Sequence, residues 1–355
     1  MNKQKSGALS EAEQFEKIKT RIFDASKTAC RGIAREIETL IREKQNKGAP
    51  TVLGLATGST PVNLYRELIK LRNDEGLSFK NVHTFNLDEY YPIEKNHRES
   101  YNRFMHEQLF QHIDIPKKNI HLIDGSISRQ DVFTFCQEFE NAIKAIGGID
   151  LQILGIGRTG HIGFNEPGST RDTRTRLVSI DRLTRLDAAR DFLGEINVPR
   201  YAITMGVGTI LEARKVILMA WGESKSKMIA RAVEGPVTES LPASFIQEHP
   251  NARFIINRSA SAELTRVRHP WLVGNVSWEP SLCRRAVVWL SQSIKKPVLK
   301  LLDGEYSENG MAELLTEQGP AYNLNIRIFN ELQHTITGWP GGKPNADDSS
   351  RPERA

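Results

Sequence analysis

With 355 residues, 39% of them hydrophobic and 26% charged, the chain has the balance of a globular protein and the length of about two domains. A net charge of +5 without basic–aromatic interleaving gives no nucleic-acid signature, and no run approaches the ~18 apolar residues of a membrane span. The basic residues Lys3 and Lys5 have no apolar segment behind them, and Cys30, Cys136 and Cys283 fit neither a disulfide framework nor a zinc pattern, so a cytoplasmic location is expected.

Ser10 and Glu13 form a capping-box pattern, and Phe15, Ile18, Ile22, Ala25, Ala29, Ile33, Ile37 and Leu40 recur at three- and four-residue steps. This spacing predicts one long amphipathic helix, ended by Lys47-Gly48-Ala49-Pro50. Val52–Leu55 reads as the first strand, running into Ala56-Thr57-Gly58-Ser59-Thr60-Pro61 and then a helix marked by Leu64, Leu68 and Leu71. Thr60 is expected at the N-cap and Pro61 at the first helical position. Hydroxyls and free backbone N–H groups at a helix start suit an anion. No Gly-Lys-Ser/Thr closes the loop, so ATP is not implied, and an ordinary strand-to-helix turn fits as well as a phosphate cradle.

Val82–Asn86 reads as a second strand, with Asp88 and Glu89 at its C-terminal end, where catalytic groups gather in open α/β sheets. Adjacent side chains diverge, so at most one of the two is expected to face a site. Asn96 and Glu99 are expected to cap a helix with Tyr101, Phe104, Met105 and Leu109 inward. Asn119–Ile123 reads as a third strand and 131–146 as a helix.

Ile149–Leu154 is an apolar run of the buried-strand type, and it leads into Gly155–Pro167. Gly155 and Gly157 permit a sharp turn and close approach, His161 brings the side-chain type most often used for proton transfer, and Glu166 follows five residues later. A surface loop with a locally bonded histidine is the plainer alternative. Thr184–Leu193 reads as helix carrying Arg185 and Arg190, and Tyr201–Met205 fits strand and helix alike. Val216–Trp221 reads as strand, and Gly222 opens a helix with Lys225 in its first turn, where a cation opposes the macrodipole unless an anion meets it. Phe254–Ile256 is a last short strand.

The alternation predicts an α/β fold, a doubly wound, mostly parallel sheet with helices on both faces. From about His269 the texture changes. Trp271, Trp278, Trp289 and Trp339 lie beyond this point, with helices expected near Leu282–Lys295 and Met311–Gln333. Residues 1–268 are therefore assigned to an α/β domain, 269–337 to a small helical appendage and the Pro/Gly-rich 338–355 to a disordered tail or linker.

Together these segments resemble the glucosamine-6-phosphate deaminase family. The matching pieces are A-T-G-S-T-P (56–61), F-N-L-D-E-Y (85–90), E-S-Y-N-R-F-M (99–105), G-H-I-G-F-N-E-P (160–167), G-V-G-T (206–209) and A-V-E-G (232–235), in the family's order. The resemblance implies a sugar-phosphate substrate, fructose 6-phosphate and ammonia as products, and no cofactor or metal. It implies that Thr57, Gly58, Ser59 and Thr60 with Arg190 and Lys225 hold the phosphate. Asp88 would move the C2 proton to C1, and His161, oriented by Glu166, would open the pyranose ring. The related 6-phosphogluconolactonases share the Gly-His loop but typically lack the F-N-x-D-E-Y and F-N-E-P pieces.

Two departures stand out. Thr159 occupies the position of the family's Asp, two residues before the histidine, and neutralising an orienting Asp lowers turnover about 10⁴-fold in the serine-protease triad, which sets an upper bound here. Val178 stands where regulated bacterial members carry an allosteric lysine. The expected function is thus a deaminase weakened by Thr159, with a sugar-phosphate-binding regulatory module as the alternative and a lactonase-like hydrolase a distant third. Some longer relatives add a deacetylase-like domain, which leaves a further C-terminal domain, like homo-oligomerisation, open.

Overall fold

The computed structural model describes residues 15–337. In chain order the first elements are β1 (Thr20–Phe23), α1 (Ser26–Asn46), β2 (Thr51–Leu55), α2 (Val62–Glu75), β3 (Val82–Asn86), β4 (Asp88–Tyr91) and α3 (Tyr101–Gln108). Next come β5 (Ile120–His121), α4 (Val132–Ala145), β6 (Leu151–Leu154), β7 (Arg176–Ser179), α5 (Arg182–Ala188), β8 (Tyr201–Thr204) and α6 (Val207–Leu211). β9 (Val216–Ala220), α7 (Ser226–Glu234), β10 (Ala252–Asn257) and α8 (Thr265–Arg268) complete the first of two compact units, Met1–Arg268 and His269–Ala355.

Seven strands form a parallel sheet in the order β1-β10-β9-β6-β2-β3-β5, and a three-stranded antiparallel sheet runs β4-β8-β7. Alternation along each buried strand sends side chains to both faces. Val52, Leu154, Leu218 and Phe254 pack with Phe139 of α4, Ile210 of α6 and Val233 of α7. Leu53, Leu55, Ile153, Ile217 and Ile255 pack with Ile33 and Ile37 of α1 and Leu64 and Leu68 of α2. The sheet is therefore doubly wound, with helices on both faces. From β2 the chain steps outward to β3, whereas β6 leads the other way to β9, so the β2/β6 boundary is the point where the winding reverses.

Several local expectations need correction. The long N-terminal helix is two elements: Thr20–Phe23 pairs in parallel with Phe254–Asn257, and the helix begins only at Ser26. Apolar spacing matched a helix there because a four-residue edge strand is too short to show its own period. Ser10 and Glu13 lie outside the described residues. Helix α2 starts at Val62 with Pro61, not Thr60, at the cap position. Ser100 caps α3 by accepting the Arg103 N–H, in place of Asn96 or Glu99. Tyr201–Thr204 is strand, antiparallel to both β4 and β7.

The second unit holds α9 (Pro280–Ser293), α10 (Asp303–Glu308), α11 (Ala312–Gln318) and α12 (Ala321–Thr337) around its own core of Trp271, Trp278, Cys283, Leu290, Tyr306, Leu314 and Leu324. The single helix expected over Met311–Gln333 is broken at Gly319-Pro320, where Gly319 has φ +87°. A glycine at a helix end followed by a proline stops one helix and starts the next. The tail expected over 338–355 lies outside the described residues.

Candidate active site

The loops that follow β2 and β6 line a cavity of about 290 Å3 at the winding reversal. Thr57, Gly58, Ser59 and Thr60 form one wall, Gly155 to Arg158 with His161 and Gly163 another, and Asp88 and Lys225 face the same space. The first loop is held from both ends. Tyr65 Oη donates to the Ala56 carbonyl, and Trp221 Nε1 donates to the Thr60 carbonyl at 2.9 Å.

His161 sits on a backbone shaped to receive it. A Cβ on Gly157 would lie 2.0 Å from the imidazole, so only glycine lets the ring lie across the turn. The Gly157 N–H donates to the His161 carbonyl at 2.9 Å and closes the loop. Nδ1 faces three oxygens: Thr159 Oγ1 at 2.8 Å, Glu166 Oε2 at 3.2 Å and Thr184 Oγ1 at 3.3 Å. The Thr159 hydroxyl donates its only proton to Glu166 Oε2 at 2.8 Å, so toward the imidazole it acts as acceptor. Nδ1 must then carry hydrogen, which leaves the Nε2 lone pair for a ligand. Burial raises the Glu166 carboxyl, but hydrogen bonds from His161, Thr184 and Thr159 outweigh it and hold the group below its usual range.

Asp88 opens the antiparallel sheet, opposite Thr204. It is 7% exposed, and burial, with the neighbouring charge of Glu89, pushes its carboxyl up to about 8. The loop of His161 comes close to it through Gly163, where φ is +57° and an added Cβ would stand 3.1 Å from Asp88 Oδ2. Asn165 anchors that loop by donating to the Ile162 and Met205 carbonyls, both at 2.8 Å, while accepting from Arg176 at 2.9 Å. Glu89 points away from the cavity. It accepts from the N–H groups of Tyr90, Tyr101 and Asn102, each at 2.9 Å, and so seats the start of α3. Burial pushes Glu89 up to about 7 against the pull of these donors. The adjacent pair is divided as adjacency requires: one carboxyl for the cavity, one for the fold.

Lys225 lies at the N-cap of α7, and burial lowers its pKa while the charge of Asp187 opposes that shift. Thr184, Asp187, Ala188 and Asp191 line the cavity at helical spacing, all from α5 and the turn after it. Arg190 belongs to that turn but is exposed and is not among the lining residues, so the structure does not bring it to Lys225. Arg158 stands at the cavity instead, 3.3 Å from Asp187. Among the described residues no group of three or more His, Cys, Asp or Glu side chains could hold a metal ion, and no helix is long and apolar enough to cross a membrane.

A family model described as glucosamine-6-phosphate isomerases/6-phosphogluconolactonase matches residues 24–255. A glucosamine-6-phosphate deaminase of Shewanella halifaxensis is 49% identical over 225 residues, covering 63% of this chain and 84% of that protein. The chain belongs to the glucosamine-6-phosphate deaminase family.

A solved structure of a monomeric glucosamine-6-phosphate deaminase superposes with a TM-score of 0.66 at 37% identity, over 69% of this chain and all of that one. A glucosamine-6-phosphate deaminase-like protein of Bacteroides thetaiotaomicron is 50% identical over 342 residues, 96% of this chain but 52% of that protein. The chain thus spans about half the length of that relative, and the shared span takes in the C-terminal helices. Among the residues lining the cavity, sequence reasoning missed Arg158, Thr184 and Asp187. Arg158 carried a signal, a cation inside the glycine turn that also holds His161. Thr184 and Asp187 carried none, because their helix has no buried face to set its phase.

Proposed function

We propose that the chain converts glucosamine 6-phosphate and water to fructose 6-phosphate and ammonia. The observation that carries this reading is the pairing of Asp88 and His161 on one cavity, with a hydroxyl-rich helix start and Lys225 beside them. Thr57–Thr60 and Lys225 bind the phosphate dianion, whose charge relieves both the macrodipole and the desolvated ammonium. His161, with Nδ1 protonated, takes the C1 hydroxyl proton at Nε2 and passes it to the ring oxygen, which opens the pyranose. The Asp88 carboxylate then removes the C2 proton and returns it to C1. The resulting C2 imine is hydrolysed, and ammonia leaves. The ammonium on C2 of the incoming sugar favours the ionised form of Asp88, offsetting the burial that holds it protonated.

The contacts of His161 support turnover over a purely binding role. Glu166 reaches Nδ1 directly at 3.2 Å, so Thr159 does not leave the imidazole without a carboxylate. The test is ammonia release by the purified protein together with deuterium uptake at C2 in heavy water. Asp88→Asn should bind the phosphosugar as wild type does and lose both signals. Ammonia release or C2 exchange retained in Asp88→Asn would mean another base, and a wild type that binds without turnover would leave the binding role.

A further inference from the structure

Asp187 has no task in the reaction above, yet it is set against both cations of the phosphate end. Its Oδ1 lies 3.3 Å from the Arg158 guanidinium, and its charge acts on the Lys225 ammonium. All three side chains line the cavity. The carboxylate comes from α5, one turn after Thr184, whose hydroxyl reaches His161 Nδ1. The two cations come from other segments, Arg158 from the glycine turn after β6 and Lys225 from the start of α7. A carboxylate delivered by one element onto two cations delivered by others is the arrangement a bound anion would occupy.

We infer that Asp187 is an internal competitor of the substrate's phosphate: it holds Arg158 beside Lys225 and must give way when a dianion takes the same cations. This deepens the reading under Proposed function and rests on Lys225 being part of the phosphate cradle. The pair is half exposed on both sides, 49% for Arg158 and 48% for Asp187, so the bond is weak enough to be exchanged. A dianion outbids a single carboxylate for two cations, whereas an unphosphorylated amino sugar brings nothing that could displace it. Asp187 therefore sharpens discrimination for phosphorylated sugars, at the cost of some affinity for them. Arg158 becomes a second phosphate ligand.

Calorimetric titration with inorganic phosphate on the full chain tests this, for wild type, Asp187→Asn, Arg158→Gln, Lys225→Ala and the Asp187→Asn/Arg158→Gln double variant. Asp187→Asn should tighten phosphate binding about three- to tenfold, the scale of removing one half-exposed charge beside a dianion. Arg158→Gln should weaken it, and the gain from Asp187→Asn should shrink in the double variant. With glucosamine 6-phosphate, Asp187→Asn should lower KM and leave the pH profile of kcat in place, a split that a structural role would not produce. Unchanged or weaker phosphate binding in Asp187→Asn, with Lys225→Ala losing it, overturns the competitor role alone. Phosphate binding undiminished in Lys225→Ala overturns the cradle and the competitor together.

Discussion

Removing the Thr159 hydroxyl while keeping its shape, as Thr159→Val does, should slow turnover about tenfold without changing KM. The hydroxyl makes two bonds, accepting from His161 Nδ1 and donating to Glu166 Oε2, both at 2.8 Å. A neutral hydrogen bond is worth about 0.5–1.5 kcal/mol net, and one to a charged group about 1.5–3. Much of that sum is recovered, because Nδ1 already stands 3.2 Å from Glu166 Oε2 and can close on it. What remains is the loss of orientation, about 1.4 kcal/mol or one power of ten in kcat. The same geometry limits the gain from Thr159→Asp. A second carboxylate would meet Glu166 where the hydroxyl now donates, and like charges at that range hold a shared proton. The improvement is therefore at most about tenfold, far below the 10⁴-fold triad ceiling. Steady-state ammonia release against glucosamine 6-phosphate concentration gives both constants. A Thr159→Val enzyme at the wild-type kcat, or one whose KM alone rises, would refute the relay through this hydroxyl.

Further outcomes follow from the carboxyl pair. Asp88 is held up to about 8 and must be ionised to act as base, so kcat/KM should fall as pH drops through about 8. The acid limb of kcat should lie lower, because the substrate's ammonium favours the carboxylate. Glu89→Gln removes the charge next to Asp88 and should move the kcat/KM limb to lower pH. In a denaturant titration it should also cost about 1–2 kcal/mol, since the N–H groups at the start of α3 lose a charged acceptor.

What the sequence disclosed follows from which signals are local. The glycines of the 155–167 turn, the hydroxyl run before α2 and the adjacency of Asp88 and Glu89 are short-range features, and each stands at the cavity or beside it. The antiparallel sheet stayed hidden for a different reason. Arg176–Ser179 is half-buried to exposed along its whole length, so it shows no alternation, and Tyr201–Thr204 is too short to separate strand from helix. Arg190 shows the limit of position alone. It shares a segment with Asp187 and Asp191 but faces solvent, and a helix without a buried stripe offers no means of telling which residues turn inward.

The pairing of β1 with β10 bears on how the chain acquires its shape. Thr20 lies beside Phe254 and Phe23 beside Asn257, so the first strand of the described residues can settle only after the last of them. At a synthesis rate of ~5–20 residues per second, β1 waits roughly 10–50 s for its partner. The interval is tolerable because β1 is four residues long and mostly half-buried even when paired, so little apolar surface is exposed meanwhile. The α1 helix behind it has its Ile33, Ile37 and Ile41 face to cover sooner, against β2 and α2. Until β1 docks, β10 is the open margin of the sheet, with Phe254, Ile255 and Ile256 bordering an unpaired edge that could template another chain. Thr20–Phe23 is in that sense a seal on the β10 margin, supplied by residues made well before the strand they cover.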